Sequence, residues 1–142
     1  MVPEASSLKA NEDVDRPGIR IAVGRGSAYD LYLTRAIKQA ELVRAPTSPA
    51  SLDLFVRDHL DAAANVKQPL VTYAREHAGY RVLPGRFMVI EQAMGVPKGR
   101  EQAAAYLRDF VESVKASGFV ASAIARNHQP DAALAPPAGK AP

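Results

Sequence analysis

The sequence predicts a three-layer α/β fold with a mainly parallel central sheet, followed by a helical segment at the carboxy-terminal end. Short β-branched runs alternate with amphipathic segments of helical period over residues 16–85, which is typical of parallel strands covered by helices. Beyond residue 100 the pattern is helical only. A length of 142 residues with 47% hydrophobic residues is enough for one ordinary domain with its own core.

The first predicted strand and helix flank a glycine-containing turn. Residues 19–23 form a β-branched run and predict a strand. Residues 24–27, Gly24-Arg25-Gly26-Ser27, follow it and are called here the 24–27 turn. Ser27 is a favourable N-cap for a helix over residues 28–37, and Asp30 in its first turn suits the helix dipole.

Strands and helices continue to alternate along the chain. Residues 41–45 predict a second strand, and Ser48 is expected to cap a helix that has Pro49 at its first position. Small apolar residues over 61–66 predict a central strand. The remaining predicted elements are a helix over 69–78 ended by Gly79, strands over 80–83 and 87–94, helices over 101–117 and 119–127, and a disordered tail over 129–142.

Composition excludes several classes of protein. Cysteine is absent, which rules out disulfide scaffolds, thiolate metal sites and cysteine nucleophiles. The net charge is +3, but the 18 basic residues are scattered, so we expect a mildly basic surface and no nucleic-acid partner. No apolar run approaches the roughly 20 residues of a membrane span, and the first residues lack the features of a signal peptide.

The 24–27 turn is the strongest candidate for chemistry. A glycine-rich turn between a strand and a helix presents backbone amides and the positive end of the helix dipole to an anion. The turn begins like a dinucleotide fingerprint, but Tyr29 occupies the third glycine position and Arg44 replaces the ribose-binding carboxylate. Arg44 can instead bind a 2′-phosphate. A tight turn that needs glycine, with Ser27 as an ordinary cap, explains the same residues equally well.

Other candidate residues do not form a recognisable catalytic set. His59, His77 and His128 are far apart and lie near predicted helix ends, so we expect no metal site. No nucleophile elbow surrounds Ser27, and the carboxylates are dispersed along the predicted helices. The sequence therefore predicts a binding protein that is not an enzyme and needs no cofactor.

Three segments together resemble family 3 extracellular solute-binding proteins, the periplasmic receptors of amino-acid-type ABC transporters. They are residues 19–33 (IRIAVGRGSAYDLYL), 60–70 (LDAAANVKQPL) and 85–99 (GRFMVIEQAMGVPKG), with residues 115–120 similar to the family's carboxy-terminal region. Receptors of this family have two α/β lobes that are joined by crossover strands and close on the ligand by a hinge motion. The resemblance implies a periplasmic-binding-protein-like lobe in the periplasm, although from the first residues we expect no signal peptide.

On that template most of the first lobe is missing. The resemblance implies that residues 1–15 are the remnant of the outward crossover, that 16–85 form a complete second lobe and that 86–96 are the return strand. Residues 97–128 would be helices of the first-lobe type. Their apolar residues would then have to fold back, become disordered or pair with a second copy, and we expect a homodimer through these elements; the residues concerned are Phe87, Val89, Leu107, Phe110 and Val114.

The resemblance also implies a ligand site. Gly26, Ser27 and Ala28 match the helix start that binds the ligand's α-carboxylate in this family, with Tyr29 next in the same turn. If Asp61-Ala62 is the family's Asp-Ala motif, then Val66 occupies the position of the acid that binds the amino group.

Neutral and basic residues surround that position. Asn65 beside it either hydrogen-bonds an uncharged polar ligand or ends a strand, and Lys67 is either a solvated charge or attracts an anion. The expected function is weak binding of an amino-acid-like solute or a small organic anion for a membrane permease. The alternatives are a nucleotide- or phosphate-binding enzyme that uses the 24–27 turn, and an interaction protein without a ligand.

Overall fold

The computed structural model describes residues 1–129 and 131–139 and divides the chain into two compact units, Met1–Ile90 and Glu91–Pro142. The amino-terminal unit is mixed α/β, and the carboxy-terminal unit contains helices without a strand among its described residues. The α/β class predicted from the sequence is thus present.

A parallel three-stranded sheet forms the centre of the amino-terminal unit. The strands of the chain are β1 (Val2–Pro3), β2 (Arg20–Gly24), β3 (Glu41–Ala45), β4 (Ala62–Ala63) and β5 (Tyr80–Arg81). The order in the three-stranded sheet is β3-β2-β4, so β2 is the central strand. A second, two-stranded sheet pairs β1 with β5 in antiparallel orientation.

The first residue joins the two sheets. The α-amino group of Met1 donates a hydrogen bond to the Ala63 carbonyl oxygen at 2.8 Å, and the Ala63 N–H donates to the Met1 carbonyl oxygen at 2.8 Å. β1 therefore lies between β4 and β5. Residues 1–15, which we expected to be a remnant, are part of this unit, because Val2 and Leu8 are buried in its core and a 3₁₀ helix spans Asn11–Val14.

Helices cover both faces of the sheet. The first helix of the unit, α1 (Ala28–Ala36), packs with Ile21 and Val23 of β2 in one apolar cluster. The next two, α2 (Ser48–Arg57) and α3 (Lys67–Glu76), contribute Phe55 and Leu70 to a second cluster with Ala22. Because successive side chains of a strand point to opposite faces, the two clusters lie on opposite sides of β2.

Two helix starts differ from the sequence prediction. Thr47, not Ser48, caps α2 by accepting the Ala50 N–H at 3.3 Å. The third helix begins at Lys67, two residues before the predicted start at Pro69, because proline is tolerated in the first turn, where its missing N–H has no partner to lose. The predicted strand over 61–66 is reduced to Ala62–Ala63, and the one over 80–83 to Tyr80–Arg81.

The predicted return strand is not formed. Residues 86–96 contain no strand. Phe87, Met88 and Ile90 instead pack against the apolar cluster on the α1 face, where the Phe87 ring lies 5.9 Å from the ring of Tyr32. The prediction of a strand was wrong: three apolar side chains of the segment are half-buried against this cluster, while Val89 and Met94 stay exposed, and no backbone pairing forms.

The carboxy-terminal unit contains the two helices that the sequence predicts, α4 (Glu101–Ala116) and α5 (Phe119–Arg126), separated by Gly118 in a left-handed conformation (φ 78°). No helix or strand occurs over 131–139, where the Pro136 carbonyl oxygen accepts a hydrogen bond from Lys115 Nζ at 2.8 Å. Part of the predicted disordered tail, residues 130 and 140–142, lies outside the described residues.

Candidate functional site

Three chain segments meet at the carboxyl edge of the parallel sheet. They are the 24–27 turn after β2, residues 46–47 after β3 and residues 64–66 after β4. Because β3 and β4 lie on opposite sides of β2 and the following helices cover opposite faces, the strand order reverses at β2. In open α/β sheets, ligands bind outside the carboxyl ends of the strands at such a point.

The 24–27 turn leads into α1 as the sequence predicts. Gly26 has a left-handed φ of 72°, which allows the chain to reverse before the helix. Ser27 is the N-cap, and its Oγ accepts the Asp30 N–H at 3.1 Å. Among the residues that the structure describes, the amides of Ala28 and Tyr29 donate to no acceptor within the protein. These two amides and the Ser27 hydroxyl can therefore donate to an anion.

A hydrogen-bonded group links the starts of α1 and α2 to the segment after β4. The Tyr29 hydroxyl donates to Ser48 Oγ at 2.6 Å, and Asn65 Nδ2 donates to the Ser48 carbonyl oxygen at 3.2 Å. The side chain of Tyr29 is buried, so this residue offers a ligand only its backbone amide. Ser48 was expected to be a cap alone. The segments that follow parallel strands lie at one edge of the sheet, and this rule would have predicted that Ser48 lies beside Tyr29 and Asn65.

The segment after β4 carries no acid. Asn65 is half-buried, and its Oδ1 accepts the Val66 N–H at 2.8 Å, while Lys67 is exposed as the first residue of α3. Asp61 lies at the opposite end of β4, where its carboxylate accepts the Arg20 N–H at 2.8 Å. The structure thus brings Asn65 to the edge where Gly26, Ser27 and Ala28 lie, and the position expected for an ammonium-binding acid is occupied by the exposed Val66.

The guanidinium of Arg44 is engaged inside the protein. Its Nε donates to Asp30 Oδ1 at 2.9 Å, and a terminal nitrogen donates to Thr34 Oγ1 at 2.8 Å. The other carboxylate oxygen of Asp30 accepts the Gly26 N–H at 2.8 Å. Arg44 is therefore already paired with a buried carboxylate. The sequence alone indicates it as a candidate for binding a 2′-phosphate.

The histidines lie at helix ends, as expected. His59 and His128 follow α2 and α5 with left-handed φ values of 46° and 51°, and His77 is the C-cap of α3 and stacks on Tyr73 at 4.0 Å between ring centroids. Across residues 1–129 and 131–139, no three His, Asp or Glu side chains come together in a way that could hold a metal ion.

A pocket of about 240 Å³ lies away from the carboxyl edge, near the carboxy-terminal end of α2. It contains the side chain of His59, and no site residue predicted from the sequence borders it. The residues that line it are Pro3, Phe55, Val56, His59, Leu60, Ala78, Gly79 and Tyr80.

Comparison with protein-family models, with curated proteins and with solved structures finds no significant match for this chain. None of the helices in the described part of the chain has the length and apolar character needed to cross a bilayer. The likeness to solute-binding receptors therefore rests on the quoted sequence segments alone.

Proposed function

We propose that this chain is a solute-binding lobe of a periplasmic receptor for an ABC uptake transporter. The observation that supports the proposal best is the meeting of Ser27, Ala28 and Asn65 at the point where the strand order reverses. Ligands of open α/β sheets bind at this point. The resemblance selects Gly26, Ser27 and Ala28 and the position of Val66 next to Asn65, so two arguments point to the same edge.

The electrostatics of this edge favour a small organic anion over a zwitterionic amino acid. The amino-terminal ends of α1, α2 and α3 all lie at the carboxyl edge, and each carries a partial positive charge. Neither α2 nor α3 has an acidic residue in its first turn, and the one in α1, Asp30, is paired with Arg44. For a ligand ammonium, the expected acid position holds Val66, and the Asp30 carboxylate is already bonded to Gly26 and Arg44.

A single lobe supplies only one wall of a binding cleft. Small-molecule sites bury most of the ligand surface, and a wall that leaves the ligand open to water gives up much of that burial. We therefore expect weak binding to this chain and tighter binding when a second lobe covers the edge. In this proposal the partner is the membrane permease of the transporter, and the compartment is the periplasm.

A nucleotide-dependent enzyme is a weaker proposal. It would place a phosphate at the 24–27 turn and a 2′-phosphate at Arg44, but Asp30 holds both the Gly26 amide and the Arg44 guanidinium. Tyr29, which stands where the fingerprint needs a glycine, is buried. A protein without any ligand is the remaining alternative, and the following experiment separates it from the receptor.

The test is titration calorimetry of the full chain with mono- and dicarboxylates, neutral amino acids and NADP. We expect weak heats with the carboxylates, lost on Ser27→Ala and reduced on Asn65→Ala, since these side chains line the edge. Thr72→Ala, an exposed change on α3, is the matched control and should bind like the unchanged chain. Binding of NADP with no response to carboxylates would contradict the proposal, and so would equal binding by all three variants.

A further inference from the structure

The carboxylate of Asp30 fills the inner side of the 24–27 turn. Asp30 is only 4% exposed. Its Oδ2 accepts the Gly26 N–H at 2.8 Å, and its Oδ1 accepts Arg44 Nε at 2.9 Å and the Thr34 hydroxyl at 3.4 Å. Both carboxylate oxygens are thus engaged within the protein.

The donors around Asp30 are those that an external anion would use. A backbone amide at a left-handed glycine, a guanidinium and the start of a helix recur in phosphate and carboxylate sites. Arg44 is held from two sides, because a second nitrogen donates to Thr34 Oγ1 at 2.8 Å. Helix capping explains a bond from Asp30 to the turn, but it does not explain why this buried carboxylate pairs with the partly exposed Arg44.

We infer that Asp30 serves as an internal anion that occupies the inner anion position of the 24–27 turn and determines which donors remain for a solute. Because the Gly26 N–H and the Arg44 guanidinium are bonded to Asp30, a solute cannot use them as donors. The Ser27 hydroxyl and the backbone amides of Ala28 and Tyr29 remain available to it. Asp30 is therefore a positioning residue that excludes phosphate from the inner side of the turn. The inference rests on the proposed function only where it speaks of a solute. The contacts of Asp30 with Gly26 and Arg44 are present in the protein without any solute.

Chemical rescue of Asp30→Ala tests this inference without any solute. Removing the carboxylate leaves the Gly26 amide without an acceptor and takes from the partly exposed Arg44 guanidinium its carboxylate partner, while Thr34 still accepts from it, so the melting temperature should fall by roughly 5 °C. Sodium formate should restore at least half of that loss, because formate supplies a carboxylate that fits the vacated space. Sodium chloride at the same ionic strength should not.

Two further variants serve as controls. Asp15→Ala removes a partly exposed carboxylate that accepts the amides of Lys38, Gln39 and Ala40, and formate should rescue it less because water reaches that position. Asp30→Asn keeps the volume of the side chain, so it should lower the melting temperature without formate rescue.

The outcomes separate the two proposals. A folded Asp30→Ala chain that formate does not stabilise, or equal rescue of Asp15→Ala, contradicts the internal anion. If Asp30→Ala is unfolded in both salts, Asp30→Asn decides: a lowered melting temperature supports the inference, and an unchanged one overturns it. The melting temperature tests only the role of Asp30, so a lack of rescue of the folded Asp30→Ala chain by formate contradicts the internal anion. An absence of binding heat in the calorimetry contradicts the proposed receptor function.

Discussion

The two units of the chain bury apolar side chains to very different extents. Every buried apolar residue lies between Met1 and Leu83, whereas none of the described residues beyond Ile90 is buried. Tyr106, Phe110 and Phe119 of the carboxy-terminal helices are exposed. Because burial of apolar surface supplies most of the free energy of folding, the sheet unit should carry the stability of the chain, and the helix pair should contribute little.

Matched phenylalanine truncations in the two units test this difference most strongly. Phe55 is 1% exposed in the α2-side core, and Phe55→Ala should lower the free energy of unfolding by about 3–5 kcal/mol. Phe110 in α4 is 44% exposed, and Phe110→Ala should cost less than about 1 kcal/mol. Urea unfolding followed by circular dichroism measures both, and equal losses would contradict the contrast.

The buried amino group of Met1 makes the sheet unit sensitive to pH. Burial, and then the charge of Arg81, lower the pKa of this group from 8.0 to about 5. Between those values the unfolded chain binds more protons than the folded one, so the free energy of unfolding rises as the pH increases from 5 to 8. The pKa difference corresponds to roughly 4 kcal/mol.

Titration of the ¹⁵N-labelled amine by nuclear magnetic resonance measures that pKa directly, alongside urea unfolding at several pH values. A pKa near 8 in the folded chain would contradict the burial of Met1 between β4 and β5. Acetylation of the amine should remove this contribution to the pH dependence.

Two glycine substitutions compare the close packing of the sheet unit with the open carboxy-terminal unit. A Cβ at Gly24 would lie 2.7 Å from the backbone nitrogen and Cα of Ser48, so Gly24→Ala must separate β2 from α2 and should cost about 1–3 kcal/mol. A Cβ at Gly95 meets no atom within 4 Å, and Gly95→Ala should be nearly neutral. Thermal unfolding distinguishes them, and a tolerated Gly24→Ala would show that the two elements are less closely packed.

The exposed aromatic residues of the carboxy-terminal unit provide the smallest test. We expect them to support a weak homodimer, so light scattering should show a mass that increases with protein concentration. Phe110→Lys should shift this association to higher concentration. Leu31→Lys, at an exposed apolar position on α1, should leave it unchanged. A monomer at every concentration would contradict the dimer.

Local sequence pattern predicted the first part of the sheet unit well. The β-branched run before the 24–27 turn and the Ser27 cap led to β2 and α1, and the run over 41–45 led to β3. These elements are specified by neighbouring residues. The α4 and α5 helices were found for the same reason, since their periodicity is continuous.

Contacts between distant segments were harder to predict. The return strand over 87–94 did not form. Phe87, Met88 and Ile90 pack against the apolar cluster on the α1 side instead, and no local signal indicates that contact. The pairing of Met1 with Ala63 and the bond from Tyr29 to Ser48 join residues far apart in sequence. Asp30, three residues after a serine cap, gave a local signal for capping, but its pairing with Arg44 depends on the sheet.

Chemical-shift mapping tests the central claim, that the carboxyl edge of the sheet binds an anionic solute, most directly. When the ¹⁵N-labelled chain is titrated with a small dicarboxylate, the account predicts saturable shifts in the amide signals of Ser27, Ala28 and Asn65. The signals of His59 and Tyr80, which line the pocket near the end of α2, should stay fixed. Shifts confined to His59 and Tyr80, or no saturable shift at the edge with any carboxylate, would contradict it.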